Sequence, residues 1–309
     1  MKKVLYLLLI ILTGTIFVGC GKKEDIKLLT PNGTPFISVG NLINEKGLTI
    51  DNVDGSEPLI NELSSNTYDI ILAPITAGTK LYIKDISKYK LDSIVTINNT
   101  YIVSRKTTTL NSISDLEGKS ILAYGQNNTP DIALKEALGD VQATITYTDS
   151  VQTAVTTFVG NTQDPSNPPA NTPEYILIAE PSLTQVQERF KMELNILDLS
   201  QEMNTNIYQA GIFINPESDQ KRVGKIIEKI EENIKYLNEK PEEYAKSIVS
   251  KNRVFETLTE NIIAKSIPKS NINYEKAKTA KEKLETFFKM INTYNPQIIG
   301  GVPNEDFYN

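Results

Sequence analysis

The chain contains no histidine and no tryptophan, and it has a single cysteine, Cys20. Without histidine, the commonest general base near neutral pH and the commonest metal ligand are missing. A Ser-His-Asp or Cys-His triad is excluded, and so is a zinc site built on His and Cys. One cysteine cannot form an internal disulfide, so the fold must be held by its core. No Gly-rich phosphate loop and no acidic calcium loop occur. A carboxylate-pair hydrolase and a Ser-Lys enzyme stay open by composition, but no Ser-x-x-Lys stands at the start of an apolar helix. The expectation is a protein that is not an enzyme and holds neither metal nor cofactor. Clustered basic residues are also missing. The net charge is −6, which gives no support for nucleic-acid binding.

What is present is concentrated at the front. Lys2 and Lys3 precede an apolar run from Val4 to Val18, and Gly19-Cys20 follows. The run is shorter than the roughly 20 residues of a spanning helix. A basic start, a short apolar stretch and a small residue before cysteine make a lipoprotein signal, whose thiol receives the lipid. Cleavage would leave Cys20 as the first residue and make the chain more acidic by two lysines. Residues 1–19 are thus expected to be the signal and 20–25 a tether. The body is expected outside the cytoplasm, anchored to the membrane through lipid on Cys20.

From residue 26 onward, short apolar runs alternate with amphipathic segments. Strands are expected at 26–29, 48–53, 69–73, 93–97 and 100–104, with helices at 36–44 and 57–65 and one through Lys80-Leu81-Tyr82. A second group follows: strands at 120–124, 144–147, 175–179, 194–199 and 209–214, with helices at 131–138 and 151–159 and one through Gln187 and Phe190. Residues 161–173, rich in Pro, Asn, Asp and Ser, are expected to form an exposed loop. From Pro216 onward the periodicity is helical, over 221–238, 241–250, 256–265 and 274–291. These helices have no strands of their own in this reading, so they pack back on the first unit. The division is 26–104 plus 212–309 for one lobe and 105–211 for the other. Two chain crossings, near Ser104-Arg105 and Ala210-Gly211, join the lobes around a cleft.

Several strands end in polar turns that open helices: Thr30-Pro31-Asn32-Gly33-Thr34-Pro35, Pro74-Ile75-Thr76-Ala77-Gly78, and Gly125-Gln126-Asn127-Asn128-Thr129-Pro130. Ligands of open α/β sheets sit beyond such strand ends. The candidate binding residues are therefore Asn32, Gly33, Thr34, Thr76, Ala77, Asn99, Tyr101, Gln126, Asn127, Asn128, Thr129, Glu180 and Gln209. Each also has a plain structural role open to it, as a cap, a turn former or hinge packing. An arginine clamp is not evident, although Arg105 lies near a crossing. Tyr82, Tyr101, Tyr124 and Tyr208 are candidates for stacking on a flat ligand.

The order of Thr30-Pro31-Asn32-Gly33-Thr34-Pro35, Tyr68-Asp69-Ile70-Ile71-Leu72-Ala73-Pro74, Asp115-Leu116-Glu117-Gly118-Lys119, Ala179-Glu180-Pro181, Tyr208-Gln209-Ala210-Gly211-Ile212-Phe213 and Ile299-Gly300-Gly301 resembles one family. It is that of the substrate-binding lipoproteins of ABC importers, in the nitrate, sulfonate, taurine and thiamine-precursor group. The resemblance runs over nearly the whole mature chain. It implies an α/β, two-lobed fold of the type II periplasmic-binding-protein kind, a monomer, an ABC permease as partner, and a small solute. That solute would be a sulfonate- or nitrate-like anion or a vitamin-precursor-like heterocycle. A lipid-tethered sensor or adhesion module on the same fold is the competing expectation.

Overall fold

A computed structural model describes residues 24–55, 57–160 and 169–309. The expected signal, Cys20 and residues 20–23 of the tether lie outside the described residues, as do 161–168 of the expected loop.

The first part of the chain runs β1 (Ile26–Pro31), α1 (Thr34–Val39), β2 (Leu48–Val53), α2 (Glu57–Ser65), β3 (Ile70–Pro74), α3 (Ile75–Ile83) and β4 (Lys90–Ile97). The middle runs β5 (Tyr101–Arg105), β6 (Ser120–Tyr124), α4 (Thr129–Leu138), β7 (Thr144–Thr148), α5 (Val151–Val159), β8 (Tyr175–Ile178), α6 (Ser182–Arg189) and β9 (Leu194–Asp198). The last part runs β10 (Tyr208–Ile214), α7 (Gln220–Glu239), α8 (Pro241–Ile248), α9 (Arg253–Leu258), α10 (Glu260–Ser266), β11 (Ile272–Lys276) and α11 (Lys281–Tyr294).

These strands form two mixed sheets, of order β11-β4-β10-β3-β1-β2 and β7-β6-β8-β5-β9. Each is the centre of a lobe with helices on both faces, because strands such as Ile70-Ile71-Leu72-Ala73 and Tyr175-Ile176-Leu177-Ile178 are apolar on both sides. On one face of the first sheet lie α1, α7, α8 and α10, with Val223, Ile226, Ile227, Ile230, Ile234 and Leu237 of α7 forming one apolar stripe. On the other lie α2, α3, α11 and the tail residues Phe307 and Tyr308. The second sheet is covered by α4 on one side and by α5 and α6 on the other.

Three sequence expectations are corrected. The strand at 101–105 pairs with β8 and β9, so it belongs to the second sheet, and Tyr208–Gly211 pairs in the first. The chain therefore crosses between sheets at 98–100 and 199–207. Both changes of sheet come a few residues earlier than the apolar pattern suggests, because strands of either sheet read alike when both faces are buried. The helix expected over 274–291 begins only at Lys281; residues 272–276 form β11, antiparallel to β4. Local charge periodicity continues through this segment, but pairing to the open edge of β4 overrides it. The helix expected over 256–265 is two helices, α9 and α10, broken at Thr259, whose φ is 68°.

The two crossings lie side by side. Asn98 donates its backbone N–H to the Ile207 carbonyl at 3.0 Å, and its side-chain oxygen accepts from Ile207 N at 2.7 Å. Its side-chain amide also reaches Asn206 Oδ1 at 2.7 Å. Asn98 has φ 55°, a left-handed conformation that asparagine tolerates better than most residues. The hinge is thus two stretches of chain running side by side, with Asn98 making three of the bonds between them.

Candidate functional site

A cleft of about 590 Å³ lies between the lobes. Its walls are the strand-to-helix turns of both sheets: Asn32, Gly33 and Thr34 after β1, Thr129 and Pro130 at the start of α4, Val151 and Gln152 at the start of α5, and Glu180 and Pro181 after β8 with Ser182 at the start of α6. Asn99 lines it from the first crossing, Thr96 from β4, and Gln209 and Ala210 from β10. A volume of this size holds a small organic molecule.

Seven of the sequence candidates meet here: Asn32, Gly33, Thr34, Asn99, Thr129, Glu180 and Gln209. Their polar atoms are largely committed to one another. Asn99 Oδ1 accepts from Glu180 N at 2.8 Å, and Asn99 Nδ2 reaches Thr34 Oγ1 at 3.0 Å and the Glu180 carbonyl at 3.1 Å. Thr34 Oγ1 donates to the same carbonyl at 3.0 Å. The knot ties the first lobe, the hinge and the second lobe at one buried point, and bonds of this kind contribute about 0.5–1.5 kcal/mol each. Gln209 Oε1 accepts from Asn99 N at 3.0 Å, and its Nε2 donates to Thr100 Oγ1 at 2.9 Å. Asn32 accepts from Asn52 Nδ2 at 2.6 Å and donates to the Asp54 carboxylate. Gly33 has φ 94° with nothing within 4 Å of where a Cβ would stand. There the backbone conformation, not crowding, calls for glycine.

The Glu180 carboxylate does not face the cleft. It turns into its own helix, accepting from Thr184 N at 3.0 Å and Thr184 Oγ1 at 2.9 Å, with Lys269 Nζ 3.8 Å away. Burial pushes this carboxyl above its ordinary value, against the pull of the Thr184 bonds and Lys269. The Asp131 carboxylate behaves likewise in α4, accepting from Asn127 N at 2.8 Å, Tyr147 Oη at 2.6 Å and Lys135 Nζ at 2.8 Å.

Six candidates stand away from the cleft lining. Thr76 is buried in α3 and Ala77 half-buried beside it, while Gln126, Asn127 and Asn128 are exposed at the outer turn before α4. Tyr101 is buried and donates to the Lys269 carbonyl at 2.6 Å, so it fastens the second lobe to the C-terminal helices of the first. The other tyrosines considered for stacking are also used elsewhere. Tyr208 packs edge-on against Phe287, Tyr82 lies against Phe307 and donates to Asn304, and Tyr124 packs on the second lobe's core. Arg105 does not line the cleft; its guanidinium lies over Phe158 and donates to the Pro173 carbonyl at 3.2 Å.

Sequence reasoning missed Asp54 and Gly55 after β2, which obey the strand-end rule that found the others. It also missed Val151 and Gln152, Gln185, and Val254, Thr257 and Leu258 of α9. The α9 residues carry no local signal, since they reach the cleft only because the C-terminal helices fold back over the first sheet.

The lobes touch on both flanks of the cleft. On one side Glu188 of α6 accepts from Lys265 Nζ at 2.6 Å and from Asn261 Nδ2 at 2.9 Å of α10. On the other, Ile132 and Ala133 of α4 are buried in the first lobe's apolar cluster, and Tyr294 donates to Glu136 at 2.8 Å.

A two-lobed α/β body with sheets of this order and a cleft at the paired crossings can be compared directly with solved structures. An ABC transporter protein from Parabacteroides distasonis superposes with a TM-score of 0.76 over 93% of this chain and 99% of that one, at 20% identity. The chain has the fold of the periplasmic binding proteins. The periplasmic aliphatic sulphonate binding protein of Escherichia coli matches with a TM-score of 0.69 over 92% of this chain and 90% of its own, at 10% identity. The alkanesulfonate-binding protein of Xanthomonas axonopodis pv. citri, solved with MOPS, matches with a TM-score of 0.59 over 91% and 95%, at 11% identity. No family model and no curated protein matches the sequence. The likeness to this binding-protein fold therefore lies in the arrangement of elements rather than in shared residues.

Proposed function

We propose that the protein is a lipid-anchored solute-binding protein that captures a small molecule in the interlobe cleft and hands it unchanged to an ABC importer. The observation that carries this reading is the 590 Å³ cleft at the strand ends of both sheets, beside the two short crossings of the chain between the lobes. Two rigid lobes on such a hinge can close over a solute and open again. In this reading the first lobe is 26–97 with 208–309, the second is 101–198, and 98–100 with 199–207 form the hinge. The signal at 1–19 and lipid on Cys20 hold the body outside the cytoplasm. Solved proteins with this fold described as ABC transporter or sulphonate-binding components support the same role. The cleft residues serve binding and orientation, with no part in catalysis.

The test is native mass spectrometry of the full chain purified from its own membranes, combined with small-angle scattering. One small molecule per chain, chemically intact and lost on unfolding, with a contracted scattering profile when it is bound, is the expected result. A chain that retains nothing, takes up nothing from a metabolite extract and never changes dimension overturns it.

A further inference from the structure

The resemblance and the solved neighbours direct attention to anions, but the cleft is not built to hold one. Its lining includes two acids, Asp54 and Glu180, and no lysine or arginine among the described residues. Three of the helix ends that could receive an anion already carry an acceptor of this chain. In α6 the Glu180 carboxylate takes Thr184 N, in α4 the Asp131 carboxylate sits in the first turn, and in α5 Ser150 Oγ takes Thr153 N at 3.1 Å. The six-residue α1 has Pro35, which lacks an N–H, in its first turn.

The amide donors are equally committed. The NH₂ groups of Asn32, Asn99 and Gln209 are held by Asp54, by Thr34 with the Glu180 carbonyl, and by Thr100 with the Asn99 carbonyl. Among cleft amides, that leaves Gln152 and Gln185 as donors. What the site does offer is an exposed carboxylate at Asp54, which keeps acceptor capacity beyond its one bond to Asn32. Leu59, Val151 and Leu258 share the remaining lining with the hydroxyls of Thr129, Ser182 and Thr257, and among the described residues no aromatic ring is there to stack on a heterocycle.

We infer that the cleft selects an aliphatic solute carrying a protonated amine, with Asp54 as its counter-charge, and rejects sulfonates and nitrate. This rests on the solute-capture reading and names the ligand class for the same site.

Isothermal titration of the full-length protein in detergent separates the two. The probes are 1,4-diaminobutane, ethanesulfonate, sodium nitrate and an aminopyrimidine. The expected result is saturable one-to-one binding of 1,4-diaminobutane only. It should weaken at least tenfold in Asp54→Asn, with an unchanged thermal midpoint, and be unaffected by Asp140→Asn, an exposed acid away from the cleft. Binding of ethanesulfonate, nitrate or the aminopyrimidine in place of the amine overturns the inference and leaves solute capture standing. Equal amine affinity in wild type and Asp54→Asn also overturns it. No saturable binding by any of the four probes also overturns this inference, whereas the capture reading falls only if the metabolite extract yields nothing as well.

Discussion

At the scale of single residues, the site is governed by where acceptors and donors are spent. Glu180 is the clearest case. A glutamate at a strand end suggests a ligand contact, yet its carboxylate is enclosed and caps its own helix through Thr184. Its carboxyl is raised above the ordinary 4.5 by burial. A folded-state value above the unfolded one means the folded chain binds the proton more tightly. Glu180 therefore contributes stability that is present below about pH 4.5 and is lost as pH rises through the raised value. Relative to wild type, Glu180→Gln should become steadily more stable as pH rises from 4.5 towards neutrality. Urea midpoints of the two proteins across that range measure this, and a constant difference would contradict it. The strand-end rule located Glu180, Asn32, Thr34 and Asn99 in the sequence. The direction of each side chain was not legible, because direction depends on partners such as Thr184 and Asp54 that only the fold brings near.

At the scale of elements, the contact between α6 and α10 joins lobes that are far apart in sequence. Glu188 holds both Lys265 and Asn261, and the Lys265 ammonium beside it keeps its carboxyl below the usual range. These groups are exposed, so salt screens the contact. Glu188→Gln should shift the lobes towards separation. Distances between spin labels on α6 and α10 would lengthen, and added salt would produce the same lengthening in wild type but little further change in the variant. A distance distribution identical in both proteins would show that this contact does not hold the lobes. The sequence displays α6 as an amphipathic helix with polar residues outward, which is how any solvated helix reads. The pairing with α10 depends on the C-terminal helices returning to the first lobe, and no local pattern encodes it.

For the whole molecule, the body is held by its core, and the proposed anchor rests on one thiol. Each lobe is a sheet with helices on both faces, and no disulfide contributes. Among the described residues, no helix is long and apolar enough to cross a membrane. In the lipid-anchored reading proposed above, attachment runs through Cys20. Cys20→Ser should move the protein from the membrane fraction to the soluble fraction or the medium in cells, while leaving the thermal midpoint of the purified body unchanged. Membrane retention of that variant at wild-type levels would place the anchor elsewhere.

The sequence by itself determined the alternation of strands and helices, the two-lobed α/β class and the stretches of chain that form the turn tips. These follow from hydrophobic period and turn chemistry, which act over a few residues. Tertiary structure alone decided which sheet receives β5 and the first residues of β10, that 272–276 pairs as a strand, and that α9 reaches the cleft. It also decided that the Glu180 carboxylate caps its own helix and that the Asp131 carboxylate is taken up by Asn127, Tyr147 and Lys135. Those outcomes depend on hydrogen-bond partners and open sheet edges supplied from distant parts of the chain, and their free energy appears only once the lobes have assembled.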